Sequence, residues 1–171
     1  VSASAVILRP AQAFNKALDL KANILQSAGL YETGVSVEKQ FERISVRLVD
    51  LRTGEFSNDL EVDTYDQRKA AKDPSMSAAL TSDSDPAKIR RRPHYATVYL
   101  VEGKNGIEKL VLPIKGYGLW STLYGFLALE GDFETVAGIG FYEHAETPGL
   151  GGEVDNVAWK ASWIGKRAFL E

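Results

Sequence analysis

The chain has 171 residues and no cysteine, with 44% hydrophobic residues, 25% charged residues and a net charge of −3. This length suits one domain with a hydrophobic core, and the composition is that of an ordinary globular protein. The charge gives no reason to expect nucleic acid as a partner, and the absence of cysteine excludes disulfides, thiolate metal sites and thiol catalysis. No apolar run approaches the roughly 20 residues that a membrane-spanning helix needs.

The first predicted element is an amphipathic helix over residues 11–28. Pro10 suits the first turn of such a helix, and Gly29 suits its end. Apolar residues recur along it three or four positions apart, at Phe14, Leu18, Ala22, Leu25 and Ala28. This spacing predicts a helix that covers one side of a sheet.

Residues 36–51 fit both a helical and an alternating pattern. We predict a helix over residues 36–43, followed by a strand that ends at the turn of residues 52–55.

The segment of residues 58–92 is polar and interrupted by prolines. Helices are predicted to start near Asp63 and at the pair Asp85 and Pro86, because aspartate is a good N-cap and proline a good first residue. The segment ends in three arginines, Arg90 to Arg92. These favour a solvated edge, with a docking point for an acidic partner as the alternative.

From Tyr95 the pattern is that of β-structure. Four successive antiparallel strands are predicted, at residues 96–101, 109–114, 121–129 and 133–142. Turns are predicted at residues 102–106 and 130–132. Pro113 cannot donate a ladder hydrogen bond, so we expect it at a sheet edge or at the end of its strand.

The C-terminal part is predicted to form a short helix over residues 153–163, with Trp159 and Trp163 on one face. Gly165 would end this helix, and residues 166–171 would start another strand. The predicted fold class is therefore α+β, an antiparallel sheet flanked by helices. We divide the chain into a helical and irregular layer, residues 1–94, and a β-rich part, residues 95–171.

Two glycine-containing segments are the candidate ligand site. Gly116 to Trp120 follows a predicted strand, and Glu146 to Gly151 reads ETPGLG. Glycine lets the backbone approach a ligand closely, and proline makes such a loop rigid. From spacing alone, both segments are equally well explained as tight connections.

Other chemistry is poorly supported. His144 and Glu146 are two residues apart, a spacing more typical of a structural pair than of acid–base catalysis, and neither His144 nor His94 has metal-ligand spacing. No G-x-G-x-x-G dinucleotide motif and no G-x-S-x-G elbow is present. We therefore expect no catalytic residue and no metal site.

The segments PIKGYGLWSTLYGFLAL and FYEHAETPGLGGEVDNVAWKASWIGK resemble the FMN-binding domain of the covalent-FMN subunit of the sodium-translocating NADH:quinone oxidoreductase. The resemblance is densest over residues 95–171, and the residues around 9–30 are similar to the segment that follows the membrane anchor in that family. The ETPGLG loop is shared with the Rnf-type electron-transport subunit. The GLWSTLYGF segment and the C-terminal part favour the sodium-pump subunit.

The resemblance implies an electron-relay subunit that carries FMN on the periplasmic side of the bacterial inner membrane. It also implies other subunits of the complex as partners and an N-terminal membrane helix outside this sequence, with residues 11–28 as a stalk. The implied FMN-binding residues are Gly118, Leu119, Trp120, Glu146, Thr147, Pro148, Gly149, Leu150 and Gly151. The family's FMN is esterified to a threonine of a Ser/Thr-Gly-Ala-Thr motif, which this sequence lacks. We expect that threonine beyond residue 171.

Two alternatives to this interpretation stay open. One is the Rnf-type FMN subunit. The other is a non-redox interaction domain in which the flavin loop is vestigial and the helix over residues 11–28 is the working surface.

Overall fold

The computed structural model describes the backbone of residues 3–169 and the side chains of residues 11–169. Within this part, the helices are α1 (Ala3–Ser27), α2 (Val37–Phe41), α3 (Gln67–Ala70) and α4 (Val157–Ala161). The strands are β1 (Ile44–Asp50), β2 (Glu55–Ser57), β3 (Ser77–Ala79), β4 (Arg91–Pro93), β5 (Tyr95–Gly103), β6 (Gly106–Tyr117), β7 (Thr122–Glu130) and β8 (Val136–Glu143). Single 3₁₀ turns form at Ser82–Ser84 and Gly151–Asp155.

Six of the strands form one antiparallel sheet in the order β2-β1-β5-β6-β7-β8, and β3 pairs with β4 in a separate ribbon. The α+β prediction is confirmed. The sheet takes β1 and β2 from the first part of the chain, so residues on both sides of the division at residues 94 and 95 share it. That division remains a proposal about function.

The main core lies between α1 and the sheet. Ile24 and Ala28 pack against Val111, Phe126 and Ala128, all buried. Helix α1 and strand β8 approach closely because residue 138 is glycine, and a Cβ there would clash with the carbonyl oxygen of Ser27. On the opposite face of β8, Trp159 of α4 contacts Phe141, with ring centroids 6.3 Å apart. Helices therefore flank the sheet on both faces.

Helix α1 is longer than predicted. It begins at Ala3, so Pro10 lies inside it, where its missing N–H leaves one helical hydrogen bond unmade. The prediction that Pro10 stands in the first turn was wrong. Its end was predicted correctly, because Gly29 has a φ of +70° and closes the helix. Phe14 is 58% exposed, so only the C-terminal half of the helix is buried against the sheet. None of the described helices is both long and apolar enough to cross a membrane.

The middle segment follows the predictions in part. Helix α2 and β1 form as expected, with the Ser36 hydroxyl as N-cap of α2. Helix α3 is capped by Asp66 rather than started near Asp63. The helix predicted at Asp85 and Pro86 does not form. The Asp85 carboxylate instead accepts hydrogen bonds from the backbone N–H groups of residues 89 and 90, which closes a loop.

Pro113 lies in the middle of β6, yet it stands at a local edge as predicted. Pairing of β6 with β5 ends at Val111 and Tyr99, whereas pairing with β7 continues past Pro113. The N–H of Thr97, which β6 no longer pairs, donates to the side-chain oxygen of Gln67 at 2.9 Å. Helix α3 therefore takes the place of a strand partner where the proline prevents pairing.

The C-terminal predictions need three corrections. Strand β8 begins at Val136 rather than at Phe133, which has a φ of +60° and belongs to the turn. The helix predicted over residues 153–163 is divided into a 3₁₀ turn and α4, because the Asn156 side chain caps a new helix there. The strand predicted over residues 166–171 is reduced to one bridge between Thr135 and Arg167. Its last two residues lie outside the described part of the chain.

Candidate functional site

The register of the sheet brings two loops to one end. Tyr117 pairs with Thr122 at the end of the β6–β7 hairpin, and Tyr124 pairs with Glu143 at the end of β8. The hairpin connection, residues 118–121, is called the GLW loop. The segment that leaves β8, residues 146–151, is called the ETPGLG loop. Both begin at the same edge of the sheet, although about 25 residues of chain separate them.

One carboxylate joins the two loops. The side chain of Glu146 accepts hydrogen bonds from the backbone N–H groups of Leu119 (3.3 Å), Trp120 (3.2 Å) and Ser121 (2.9 Å), and from the Ser121 hydroxyl (2.8 Å). The Ser121 hydroxyl oxygen in turn accepts from the N–H of Ala145 at 3.0 Å. Charge-assisted bonds of this kind are the strong ones, so this carboxylate fixes the GLW loop against the ETPGLG loop.

These bonds keep Glu146 ionised although its side chain is buried, with 7% of its surface exposed. Burial acts to raise its pKa, but the hydrogen bonds from Ser121, Trp120 and Leu119 outweigh that effect and lower the pKa below its ordinary value. The carboxylate is therefore an anion at neutral pH, and its acceptor capacity is used by the loops themselves.

The glycines of the site serve two different purposes. A Cβ on Gly118 would lie 2.6 Å from Glu146 Oε1, and a Cβ on Gly151 would clash with Glu146 Oε2. Both positions must be glycine so that the carboxylate fits between the loops. Gly149 has open space around its Cβ position but a φ of +77°, so its requirement comes from the backbone conformation of the turn.

The site presents apolar side chains to solvent. Leu119, Trp120 and Leu150 are 62%, 67% and 63% exposed, which is unusual for large apolar residues in one place. Thr147 and Pro148 of the ETPGLG loop are exposed as well. The predicted site residues thus lie on two loops that share one carboxylate, and all except Glu146 face outward or shape the turn.

The histidine has a structural place. His144 Nε2 lies 2.9 Å from Asp155 Oδ2, and His144 Nδ1 accepts from the backbone N–H of Glu146. It does not contact the Glu146 carboxylate. His144 therefore links the start of the ETPGLG loop to the 3₁₀ turn that follows it.

Sequence reasoning did not find Ser121. Its hydroxyl contacts both loops, but a serine after a tryptophan has no signal of its own in the sequence. The prediction named Glu146 as an FMN-binding residue without a geometric role. The structure places its carboxylate behind the loops, where it positions Leu119 and Trp120.

The arrangement fits a flat, conjugated ring. Such a ring needs apolar walls and hydrogen bonds to its polar edge. Leu119, Trp120 and Leu150 can supply the walls. Within the described residues, the backbone N–H groups of Thr147 and Gly149 donate to no protein acceptor, so they are available to a ligand. The residues of the two loops therefore suit FMN.

Comparison with known proteins agrees with this geometry. Residues 118–169, which contain both loops, match the family described as FMN-binding domain. The fold and the site therefore define an FMN-binding protein.

Two curated relatives give a finer assignment. The chain is 55% identical over 173 residues to the Na(+)-translocating NADH-quinone reductase subunit NqrC of Pseudomonas aeruginosa, and the match covers 99% of this chain and 66% of the relative. It is 49% identical over 172 residues to the corresponding subunit of Vibrio vulnificus, with 100% and 67% covered. The chain belongs to the NqrC family of this oxidoreductase, and it spans about two thirds of the length of these relatives.

Solved structures support the fold. The crystal structure of Shewanella oneidensis NqrC superposes with a TM-score of 0.80 at 35% identity, over 90% of this chain and 71% of that one. The corresponding subunit from Parabacteroides distasonis superposes with a TM-score of 0.72 at 24% identity, over 95% and 71%. The predicted family, fold class and cofactor are thus confirmed.

Proposed function

We propose that this chain is the electron-relay domain of an NqrC subunit in a sodium-translocating NADH-quinone reductase, with FMN held between the GLW and ETPGLG loops. The observation that carries the proposal is the Glu146 carboxylate. It holds both loops so that Leu119, Trp120 and Leu150 project outward beside free backbone N–H groups. These features all lie within the stretch that matches the FMN-binding domain.

The protein residues bind and orient rather than react. Bound FMN supplies the capacity to accept and pass on electrons. Leu119, Trp120 and Leu150 would cover its ring and keep water from it, and the N–H groups of Thr147 and Gly149 would hydrogen-bond its polar edge. No general acid or base among the loop residues is required for a relay, and Glu146 already accepts four hydrogen bonds.

Further parts of the proposal concern the longer protein. The threonine that holds the FMN phosphate would lie beyond residue 171, and a membrane helix would precede α1. Two facts support this arrangement: the relatives are about half as long again as this chain, and α1 extends past the sheet with Phe14 exposed. The domain would then stand on the periplasmic side of the inner membrane, with other subunits of the reductase as partners. The names of the relatives favour this enzyme over the Rnf-type complex.

The test uses the protein extended to its natural C terminus and made together with a flavin transferase. Leu150→Ala and Trp120→Ala are compared with Ile164→Ala, which removes an exposed apolar side chain outside both loops. We expect a shifted FMN reduction potential for the two loop variants, a normal potential for the control, and similar thermal midpoints for all three apo proteins.

Flavin absorbance that remains with the denatured protein would support covalent attachment. A loop variant with unchanged potential and unchanged flavin content would contradict the assignment of the ring to these loops. Absence of flavin from the extended protein would support the interaction-domain alternative.

A further inference from the structure

A cleft beside the GLW loop gathers positive charge from three separate segments of the chain. It has a volume of about 810 Å³. Six of its lining residues are basic: Arg68, Lys72, Lys88, Arg90, Arg91 and Lys115. No aspartate or glutamate is among the described residues that line it, although the chain as a whole carries a net charge of −3. The cleft is therefore a local positive field on an acidic protein.

Little of this charge is neutralised by the protein. Arg68 pairs with Glu143 at 3.0 Å. Among the ion pairs of residues 11–169, none involves Lys72, Lys88, Arg90 or Lys115. Lys115 is half-buried. Burial lowers its pKa, and the charges of Arg68 and Lys72 lower it further against the opposing effect of Asp85. An anion in the cleft would relieve this repulsion.

The backbone that carries two of the cations is strained. Lys88 and Arg90 have φ angles of 52° and 65°, a conformation that non-glycine residues rarely adopt. The Asp85 carboxylate holds it by accepting from the Arg90 N–H, and the Tyr117 N–H donates to the Ala87 carbonyl at 2.8 Å. Strain of this kind that the surroundings maintain is typical of ligand-binding segments. Both cations are thereby fixed at the end of β6.

The walls of the cleft suit a compact anion. The guanidinium of Arg68 lies 3.5 Å from the centre of the Tyr124 ring, which fixes its orientation, and the Thr122 hydroxyl lines the same cavity. The volume lies within the range of small-molecule sites, about 300–1,000 Å³. Arginine and lysine together are the residues that proteins use for phosphate groups.

We propose that this cleft binds a phosphate group, carried by a soluble phosphate compound or by the headgroup of an anionic lipid. Its cations converge on one concave space rather than spread over a flat surface, which favours a phosphate group over an acidic segment of another protein. The inference goes beyond the flavin relay, because the cleft lies on residues outside the two flavin loops.

The test is a titration of the ¹⁵N-labelled protein with pyrophosphate, followed by NMR. We expect saturable shifts at residues 88–91, 115–117 and 122–124. The double variant Lys88→Gln with Arg90→Gln should bind roughly tenfold more weakly. The matched control, Lys39→Gln with Lys104→Gln, removes two exposed lysines elsewhere and should bind normally. Rising salt should weaken binding to the wild type.

Vesicle sedimentation identifies the source of the phosphate group. Binding to phosphatidylglycerol vesicles but not to phosphatidylcholine vesicles, lost in the Lys88 and Arg90 double variant, would indicate a lipid headgroup. Pyrophosphate binding without vesicle binding would indicate a soluble compound. Three results would overturn the proposal: no saturable binding of either probe, equal weakening in the control pair, or tighter binding of a polyglutamate peptide than of pyrophosphate.

The flavin assignment is tested separately. In the extended protein, the Lys88 and Arg90 double variant should incorporate flavin normally and keep its reduction potential. Loss of pyrophosphate binding with normal flavin separates the two sites. Loss of flavin in this variant would show that the cleft serves the cofactor, and the proposal of an independent site would be wrong.

Discussion

Two turns of this protein use the same chemistry at different ranges. At the β7–β8 connection, the exposed Asp132 carboxylate accepts from the N–H groups of Glu134 and Thr135, each at 2.9 Å, and from the Thr135 hydroxyl. At the flavin site, the buried Glu146 carboxylate accepts from three N–H groups and one hydroxyl that lie 25–27 residues earlier in the chain. Asp132 shapes its own turn, whereas Glu146 joins two loops.

The difference shows what a carboxylate contributes at each range. A local acceptor stabilises a turn that the chain would form in any case. A long-range buried acceptor decides where one loop stands relative to another, and it leaves several donors without a partner if it is removed. The flavin loops therefore depend on one side chain, and the β7–β8 turn does not.

The largest effect is expected from Glu146→Ala. It leaves N–H groups of the GLW loop without their acceptor, so we expect the thermal midpoint to fall by roughly 8 °C. Asp132→Ala, in an exposed turn, should lower the midpoint by about 2 °C. Glu153→Ala, another acidic residue near the site, is the control for loss of charge. Equal losses for Glu146→Ala and Asp132→Ala would remove the distinction between the two turns.

Gly151→Ala sharpens the role of the carboxylate. Its Cβ would clash with Glu146 Oε2, and the carboxylate cannot move without breaking its bonds to the GLW loop. We expect a fall in midpoint of roughly 5 °C from such crowding. In the Glu146→Ala background, the same substitution should cost much less, because the clash is gone. Additive losses in this double-mutant cycle would show that the glycine is needed for another reason.

Acid should affect the two turns in different pH ranges. The pKa of Asp132 is lowered to about 2 by the hydrogen bonds from Thr135 and the neighbouring N–H groups, and the pKa of Glu146 is lowered below its ordinary 4.5. A lowered pKa stabilises the fold above the unfolded-state value, and this stability is lost as the pH falls through the folded-state value. Stability from Glu146 is thus lost below pH 4.5, and that from Asp132 near pH 2.

The measurement is the thermal midpoint between about pH 5 and 3, where we expect the wild type to lose roughly 4 °C more than Glu146→Gln. Asp132→Asn should follow the wild type over most of this range. A Glu146→Gln protein with the full wild-type pH dependence would contradict the assignment of this transition to Glu146.

The smallest effect is expected from Gly149→Ala. Its φ of +77° disfavours alanine, but nothing lies within 4 Å of the added methyl group, so the cost should be about 1 kcal/mol. Gly54→Ala, with a φ of +81° and equally open surroundings, is the matched control and should cost the same. In the extended flavin-carrying protein, a change of potential for Gly149→Ala alone would place its backbone against FMN. An unchanged potential would limit this glycine to the turn.

The sequence predicted the local elements well where one signal dominated. Gly29 ended α1, Ser36 capped α2, and alternation located β5 to β8. It was less successful where two signals competed, as at Asp85, whose carboxylate turned to the loop instead of a helix. The ligand loops were recognised by resemblance, because their spacing alone is compatible with ordinary turns.

The strand pattern, the turn glycines and the membership in a flavoprotein family were thus determined by the sequence itself, since each depends on residues that are neighbours in the chain. The tertiary structure alone decided the role of Glu146, the reason for Gly118 and Gly151, and the basic cleft. Each of these combines groups that are distant in the chain, and the register of β6, β7 and β8 brings them to one edge of the sheet. A register of this kind is set by the packing of the whole sheet against α1, which no local pattern encodes.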